Sequence, residues 1–347
     1  VFSTALGLLV GAVLTSPPAG PPPLLQGDYE APDAVALVFS ETWQPAWRTM
    51  TIALATELPV VMFRESIADE PAFRRALARL PADARASVEV VDFPVDTPWV
   101  RDWGPLQAKS GSRVVWLDAP YSAARGSDDM VPQMLGERFA IDVQGLPASI
   151  DGGAVASNGR GLCVMTIEYR DAFAGGRALQ PEALGCRALA FVPALADEST
   201  MHADMLAQFV AADVLVLAEV DAQGDPDNAT RLEAAGDLIR LAADRLGQPL
   251  QVVRVPMSPP DDQGVYRPYV NFLQAGATVL VPEYASVDPQ LQARAHAILR
   301  RLMPSARHVG VDAEQMAASG GSVHCVTLGL RLSPRGMGSS RPVLGAP

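Results

Sequence analysis

The chain of 347 residues is 49% hydrophobic and 19% charged, an ordinary globular composition that excludes a disordered chain and allows one large domain or two modest ones. Its net charge of -12 excludes nonspecific attraction to nucleic acid, whose phosphates require clustered Lys and Arg, and favours a cationic partner. Lys109 is the one lysine among 27 basic residues, so Schiff-base chemistry has almost nowhere to sit.

Residues Val1 to Leu14 are apolar and run into a Pro-rich stretch from Ser16 to Pro23, the pattern of a signal segment and the linker after it. Crossing a bilayer takes about 20 apolar residues. The stretch therefore predicts export, to the periplasm or beyond, with no stable membrane insertion of the mature chain. The expected division is a signal segment and linker over 1–26, one domain over 27–333, and a loose tail rich in Ser, Gly and Pro over 334–347. Nothing in the pattern sets the oligomeric state.

In chain order, Ala34 to Ser40 reads as an apolar strand and Trp43 to Leu58 as a helix with Pro45 near its start. The alternation continues with a strand over Val60 to Phe63, a helix over Pro71 to Leu80 and a strand over Val88 to Phe93. Further strands are expected at Val114 to Leu117, Leu162 to Thr166, Ala188 to Val192, Val214 to Ala218, Val252 to Val255, Tyr269 to Leu273 and Thr278 to Val281. Asp227 to Leu246 and Pro289 to Leu302 carry helical periodicity. Strand and helix in turn predict an α/β domain. Polar or glycine-marked clusters recur at Asp102, Gly152, His202, Asn271 and Cys325, with gaps of 50, 50, 69 and 54 residues. Such spacing suggests a repeated supersecondary unit, each copy giving one loop to a shared centre.

Three cysteines, Cys163, Cys186 and Cys325, have no metal-type spacing. The first two either pair or remain reduced in the core. Cys325 follows Gly320-Gly321 at the end of a turn that leads into an apolar strand, where a thiol could meet a ligand. Taken alone it reads as a core residue. Upstream, Asp102 lies between Trp99 and Trp103 and beside Arg101, in a segment ending Gly104-Pro105. It reads as a carboxylate for a planar cation in an aromatic-walled pocket, or as the partner of Arg101. His202 and Asp204, two apart on an expected strand, project to one face as a general acid/base with a carboxylate. No third ligand supports a metal there. Gly152 and Gly153 read as a tight turn or a close backbone approach to substrate. Asn271, in an apolar strand, needs a partner or a ligand. His296 and His308 read as structural. His324 should point away from Cys325, on the opposite face of a strand.

In this order, the elements Trp99-Val100-Arg101-Asp102-Trp103-Gly104-Pro105, Gly152-Gly153, His202-Ala203-Asp204, Tyr269-Val270-Asn271-Phe272 and Gly320-Gly321-Ser322-Val323-His324-Cys325 resemble the guanidino-group deiminases of the bacterial peptidylarginine deiminase and agmatine deiminase type. The resemblance implies a pentein fold, a five-bladed α/β propeller with pseudo-fivefold symmetry, and an active site on its axis. It implies Cys325 as nucleophile, His202 as general acid/base, Asp102 and Asp204 as the grip on the guanidinium, and Asn271, Trp99, Gly152 and Gly153 as substrate-side residues, without metal or cofactor. Two departures stand out. Ala154 occupies a place where the family usually has Asn, and of two arginines that clamp a substrate carboxylate in peptidylarginine deiminase only Arg125 remains, Ala123 replacing the other. The implied activity is deimination of arginine in peptides or of a small arginine derivative. Agmatine deimination is the close alternative, and a pentein-fold binding protein without catalysis is the distant one.

Overall fold

The computed structural model describes residues 22–176 and 179–332. Residues 1–21 of the expected signal segment, and the tail, lie outside the described residues. In chain order the strands are β1 (Leu24–Leu25), β2 (Ala34–Phe39), β3 (Val60–Arg64), β4 (Val88–Pro94), β5 (Leu106–Ser110), β6 (Arg113–Asp118), β7 (Asp142–Gly145), β8 (Ala156–Ser157), β9 (Leu162–Thr166), β10 (Ala188–Val192), β11 (Ala207–Ala211), β12 (Val214–Glu219), β13 (Gln251–Pro256), β14 (Leu273–Ala275), β15 (Thr278–Glu283), β16 (Arg307–Asp312) and β17 (Thr327–Leu330). The helices are α1 (Gln44–Ala55), α2 (Glu70–Ala78), α3 (Ala82–Ala86), α4 (Val100–Trp103), α5 (Gly126–Phe139), α6 (Ile167–Ala172), α7 (Pro226–Arg245), α8 (Pro289–Leu302) and α9 (Glu314–Ala318).

These strands form five small sheets with one repeated design. An antiparallel pair (β5/β6, β8/β9, β11/β12, β14/β15) is followed by a helical crossover to a strand parallel to its second member (β7, β10, β13, β16). The fifth sheet joins the two ends of the domain. The C-terminal β17 pairs antiparallel with β2, whose crossover through α1 leads to parallel β3 and then β4. The ring is closed by that pairing, as in propellers. The expected five-bladed α/β propeller is the architecture observed. The central strands are wholly buried, Ala34 to Phe39 and Leu162 to Thr166 at every position, because crossover helices cover the face that a two-layer sheet would leave wet.

Most expected elements stand within a residue or two of their places, and Leu162–Thr166, Ala188–Val192 and Pro289–Leu302 match throughout. Three expectations need correction. Leu24–Leu25 pairs antiparallel with β5, so the folded domain begins before Gly27. His202 and Asp204 are not on a strand: His202 precedes a single 3-10 turn over Ala203–Met205. Asn271 lies in a turn, and β14 starts only at Leu273. Helix α5 arises in a stretch for which the sequence pattern predicts no element. Its first turn holds two carboxylates that accept backbone donors, Asp128 from Asp96 and Thr97 and Asp129 from Tyr121, and Pro132 sits within it.

Candidate active site

Each of the five recurring clusters lies just before the first strand of one sheet's antiparallel pair: Asp102 before β5, Gly152 before β8, His202 before β11, Asn271 before β14 and Cys325 before β17. The repeat therefore brings five turns to one centre. Asp102 rides on α4, a single turn anchored by its surroundings. The backbone N–H of Arg101 donates to the carbonyl of Cys325 at 3.1 Å, and the loop ahead of it is held by buried Asp128, which accepts the Thr97 hydroxyl at 2.7 Å. The alternative in which Arg101 is the partner of Asp102 does not occur. Arg101 turns away, giving Nη1 to Asp28 Oδ1 at 2.8 Å and Nε to the carbonyl of Thr327 at 3.2 Å.

Cys325 is buried in the turn before β17. Gly320 has φ 93°, a left-handed conformation that glycine adopts without strain. Gly321 leaves room for a neighbour: a Cβ there would fall 2.5 Å from Cζ3 of Trp99 and 3.1 Å from Cβ of Cys325. Trp99 can thus lie against the turn that carries Cys325, backed by Trp43 at 5.2 Å between ring centroids. The Asn271 amide donates Nδ2–H to Sγ of Cys325 at 3.4 Å and to the carbonyl of Asp204 at 3.2 Å, while its Oδ1 accepts the backbone N–H of His324 at 2.9 Å. A buried amide inside an apolar stretch is thereby satisfied on both sides.

His202 lies between two carboxylates, Nδ1 at 3.5 Å from Asp102 Oδ1 and Nε2 at 3.2 Å from Asp151 Oδ2. The edge of the Tyr169 ring packs on it, centroids 5.3 Å apart, and the Tyr169 hydroxyl fixes the loop by accepting the Asp151 N–H at 2.7 Å. Burial opposes the imidazolium, but Asp102, Asp151 and Asp204 outweigh it and lift His202 to about 9. Burial raises Asp102 to about 7, against the pull of His202. Burial, with Asp204 and Asp102 nearby, pushes the Cys325 thiol well above its ordinary range. The proton-rich cluster is thus poised to receive a cation that would relieve its crowded carboxylates.

Gly153 explains the second glycine of its pair. A Cβ on it would stand 2.7 Å from His202 Nδ1, 2.8 Å from Asp102 Oδ1 and 3.0 Å from Asp204 Oδ2, so the absence of a side chain keeps open the space ringed by these three groups. A Cβ on Gly152 would fall 2.0 Å from the carbonyl oxygen of Arg101, and only glycine lets the two turns meet so closely. Sγ of Cys325 is 3.8 Å from Asp204 Oδ2. Ala154 is buried and contributes packing, with no side-chain polar group at that place.

From this centre a cavity of about 740 Å³ opens outward. Asp102, Asp151, His202 and Cys325 line it, together with Trp99, Tyr121, Arg125, Tyr169 and Phe173. Arg125 precedes α5, and its Nη1 donates to the Tyr121 hydroxyl at 2.8 Å. Asp102 and Asp151 are the carboxylates of that lining. Among the described residues, no group of three or more His, Cys, Asp or Glu is placed to hold a metal ion.

The structure brings together Cys325, His202, Asp102, Asp204, Asn271, Trp99, Gly152 and Gly153, and sets Arg125 on the cavity wall. Sequence reasoning passed over Asp151, although it stands beside the glycine pair, and misplaced His324. His324 does not face away on a strand; it sits in the turn with Nδ1 2.7 Å from Asp204 Oδ2. His296 and His308 are structural, their Nε2 atoms at 3.1 Å from the carbonyl of Pro282 and 3.0 Å from that of Met303.

An agmatine deiminase of Ectopseudomonas mendocina is 26% identical over 298 residues, 74% of this chain and 79% of its own length. The fold is shared with agmatine deiminase of Enterococcus faecalis (TM-score 0.76, 19% identity, 90% of this chain and 96% of that one). It is also shared with a substrate-bound agmatine deiminase of C. jejuni (TM-score 0.71, 18% identity, 89% and 97%). Residues 32–330 match the model of the Porphyromonas-type peptidyl-arginine deiminases, and the chain belongs to that family.

Proposed function

We propose that this protein, a hydrolase acting on the C–N bond of a guanidinium, deiminates arginine at the C-terminus of a peptide or in a comparable small derivative, giving citrulline and ammonia. The observation that carries this reading is the pairing of the deep cluster with the character of the wall above it. Asp102 and Asp204 are set to grip the guanidinium in plane, where its carbon meets Sγ of Cys325. The cation offsets the carboxylate repulsion that holds the thiol up, so the thiol gives its proton to solvent as the guanidinium binds, and the thiolate adds to carbon. His202, protonated at neutral pH, gives its proton to the departing ammonia and leaves a covalent thiouronium. The freed imidazole then takes a proton from water as the hydroxide adds to the same carbon, and the C–S bond breaks with the O–H proton passing to the departing thiolate, which restores the thiol and releases the ureido product.

Specificity follows from the outer cavity. Agmatine ends in an ammonium, which would call for a further carboxylate, yet the lining carboxylates Asp102 and Asp151 both stand against His202, and Arg125 shares the lining. A cation there suits a carboxylate or a neutral chain end. The agmatine reading draws on the printed names of the relatives, and the inactive-binder reading must explain why Cys325, His202, Asp102 and Asp204 are together. A colorimetric ureido assay with C-terminal-Arg peptide, internal-Arg peptide, free arginine and agmatine, run on wild type and Cys325→Ser, tests the set. Turnover of the C-terminal-Arg peptide that Cys325→Ser abolishes is expected, with Arg125→Ala raising its KM about tenfold. Turnover of agmatine alone would sink the peptide assignment, and no ureido product from any substrate would sink the enzyme.

Export belongs to the same proposal. The apolar run from Val1 to Leu14 supports it, as does the disulfide joining buried Cys163 to Cys186, a bond that persists in oxidising compartments. Among the described residues no helix is long and apolar enough to cross a membrane. Fractionation of cells carrying the intact gene tests this, and recovery only with the cytosol would refute it.

A further inference from the structure

Asp204 is held from behind by a chain of alternating charges that reaches the opposite side of the site. His324, fully buried, places Nδ1 2.7 Å from Asp204 Oδ2 and Nε2 3.4 Å from Asp28 Oδ2. The other oxygen of Asp28 takes Nη1 of Arg101 at 2.8 Å. Nδ1 of His324 is therefore committed to Asp204, while Nε2 lies within ion-pair distance of Asp28 and makes no hydrogen bond. Asp204 Oδ1 is buried and accepts no hydrogen bond from the protein. A buried carboxylate oxygen left in that state costs free energy unless a donor arrives, and its twin Oδ2 lies 3.8 Å from Cys325 Sγ, so the carboxylate stands beside the thiol, where a guanidinium N–H would reach it.

We infer that His324, backed by Asp28 and Arg101, is a positioning residue that fixes the plane of the Asp204 carboxylate and reserves its second oxygen for the guanidinium. The inference rests on the deiminase reading of the site and deepens it. His202 and His324 thus divide the work: one moves protons, the other sets geometry. The groups facing His324 are Asp204, Asp28 and Arg101. Burial and Arg101 oppose its charge, but the interactions with Asp204 and Asp28 prevail and raise it above the ordinary histidine value. Asp28 itself is held well below the usual carboxylate range, Arg101 and His324 overcoming its burial. The N-terminal segment before β2 thereby enters the site without touching substrate.

A readout independent of turnover separates this role from packing. Alkylation of Cys325 is followed by mass with two reagents of similar size, neutral iodoacetamide and cationic 2-chloroacetamidine, whose planar amidinium needs the Asp204 grip. For His324→Gln the expected result is a fall of tenfold or more in the ratio of amidinium to neutral rates, with the iodoacetamide rate within about threefold of wild type. Asp28→Asn, farther from the thiol, is expected to lower the ratio two- to fivefold, and KM for the C-terminal-Arg peptide should rise more than kcat falls in both variants. An unchanged ratio in either variant overturns the inference, and so does an equal fall with both reagents, which would reveal a packing role. Because the alkylation ratio needs no deimination, a wild-type protein that prefers the amidinium yet releases no citrulline would fail the function assignment and leave this inference standing.

Discussion

Replacing Gly153 with Ala tests the geometry of the site through one methyl group. Gly153 is not among the glycines with positive φ, so Ala brings no backbone penalty and the effect comes from space alone. The new Cβ would stand 2.7 Å from His202 Nδ1, 2.8 Å from Asp102 Oδ1 and 3.0 Å from Asp204 Oδ2. Ordinary van der Waals separation is about 3.5 Å, so each of the three groups has to retreat by roughly half an ångström or more. A misplacement of about 1 Å costs on the order of a hundredfold in rate. Here acid/base and both grips move together while the methyl occupies guanidinium space. A loss of roughly a thousandfold in kcat/KM is expected, about 4 kcal/mol of transition-state stabilisation. Overpacking should also cost about 1–3 kcal/mol of stability, of which the stiffer unfolded chain returns about 0.5 kcal/mol. The assay is initial-rate citrulline release from a C-terminal-Arg peptide, with a thermal melt on the same sample. Gly145→Ala is the control, since a Cβ at Gly145 meets nothing within 4 Å, and it should match wild type. A folded Gly153→Ala enzyme within tenfold of wild type would refute the placement of the guanidinium among these three side chains.

Further expectations follow from charge, cross-link and loop anchoring. His202 is raised from 6.5 to about 9 in the folded protein, so the stability it contributes is complete below about pH 6.5 and is lost as pH rises through 9. Asp102, raised from 3.8 to about 7, adds a loss in the same direction between about pH 4 and 7. Melting temperature should therefore fall from pH 6.5 to 9 in wild type and fall less in His202→Gln; equal slopes would show that His202 is not the group responsible. Replacing Cys163 and Cys186 together with Ser opens a loop with 23 residues of separation and should cost about 3 kcal/mol in denaturant unfolding, with kcat/KM near wild type. Asp128→Asn weakens the bonds to Asp96 and Thr97 that anchor the Asp102 turn. It should lose about 1–3 kcal/mol of stability and a larger share of activity than a comparable surface change; unaltered kcat/KM would show that this anchor does not position Asp102.

The sequence by itself determined the alternation of apolar strands with helices, the near-regular spacing of the five polar clusters, and the residue types at the centre. These are local facts: a buried strand is a run of β-branched and aliphatic residues, a turn of glycine precedes it, and the chemistry is carried by side chains that neither feature can replace. Asp102, His202 and Asp204 stand out on that basis, whereas Cys325 alone reads as a core residue and gains its place only from the order of the elements, which resembles one family. Local periodicity also misled where the backbone is neither helix nor strand. His202 and Asn271 sit in turns that alternate polar and apolar residues much as a half-buried strand does.

Only the tertiary structure decided who pairs with whom. Asp151 meets His202 across 51 residues of sequence, His324 meets Asp204 across 120, and Arg101 meets the carbonyl of Thr327 across 226. No window of sequence contains such a pair, since partners are chosen by ring closure, when β17 joins β2 and the five turns converge. Arg101 shows the difference most plainly: beside Asp102 in the chain it reads as a candidate counter-ion, yet in the fold it turns to Asp28, and Asp102 lies against His202 instead. Sequence supplied the groups and their spacing, and the closed ring supplied the distances at which they can react.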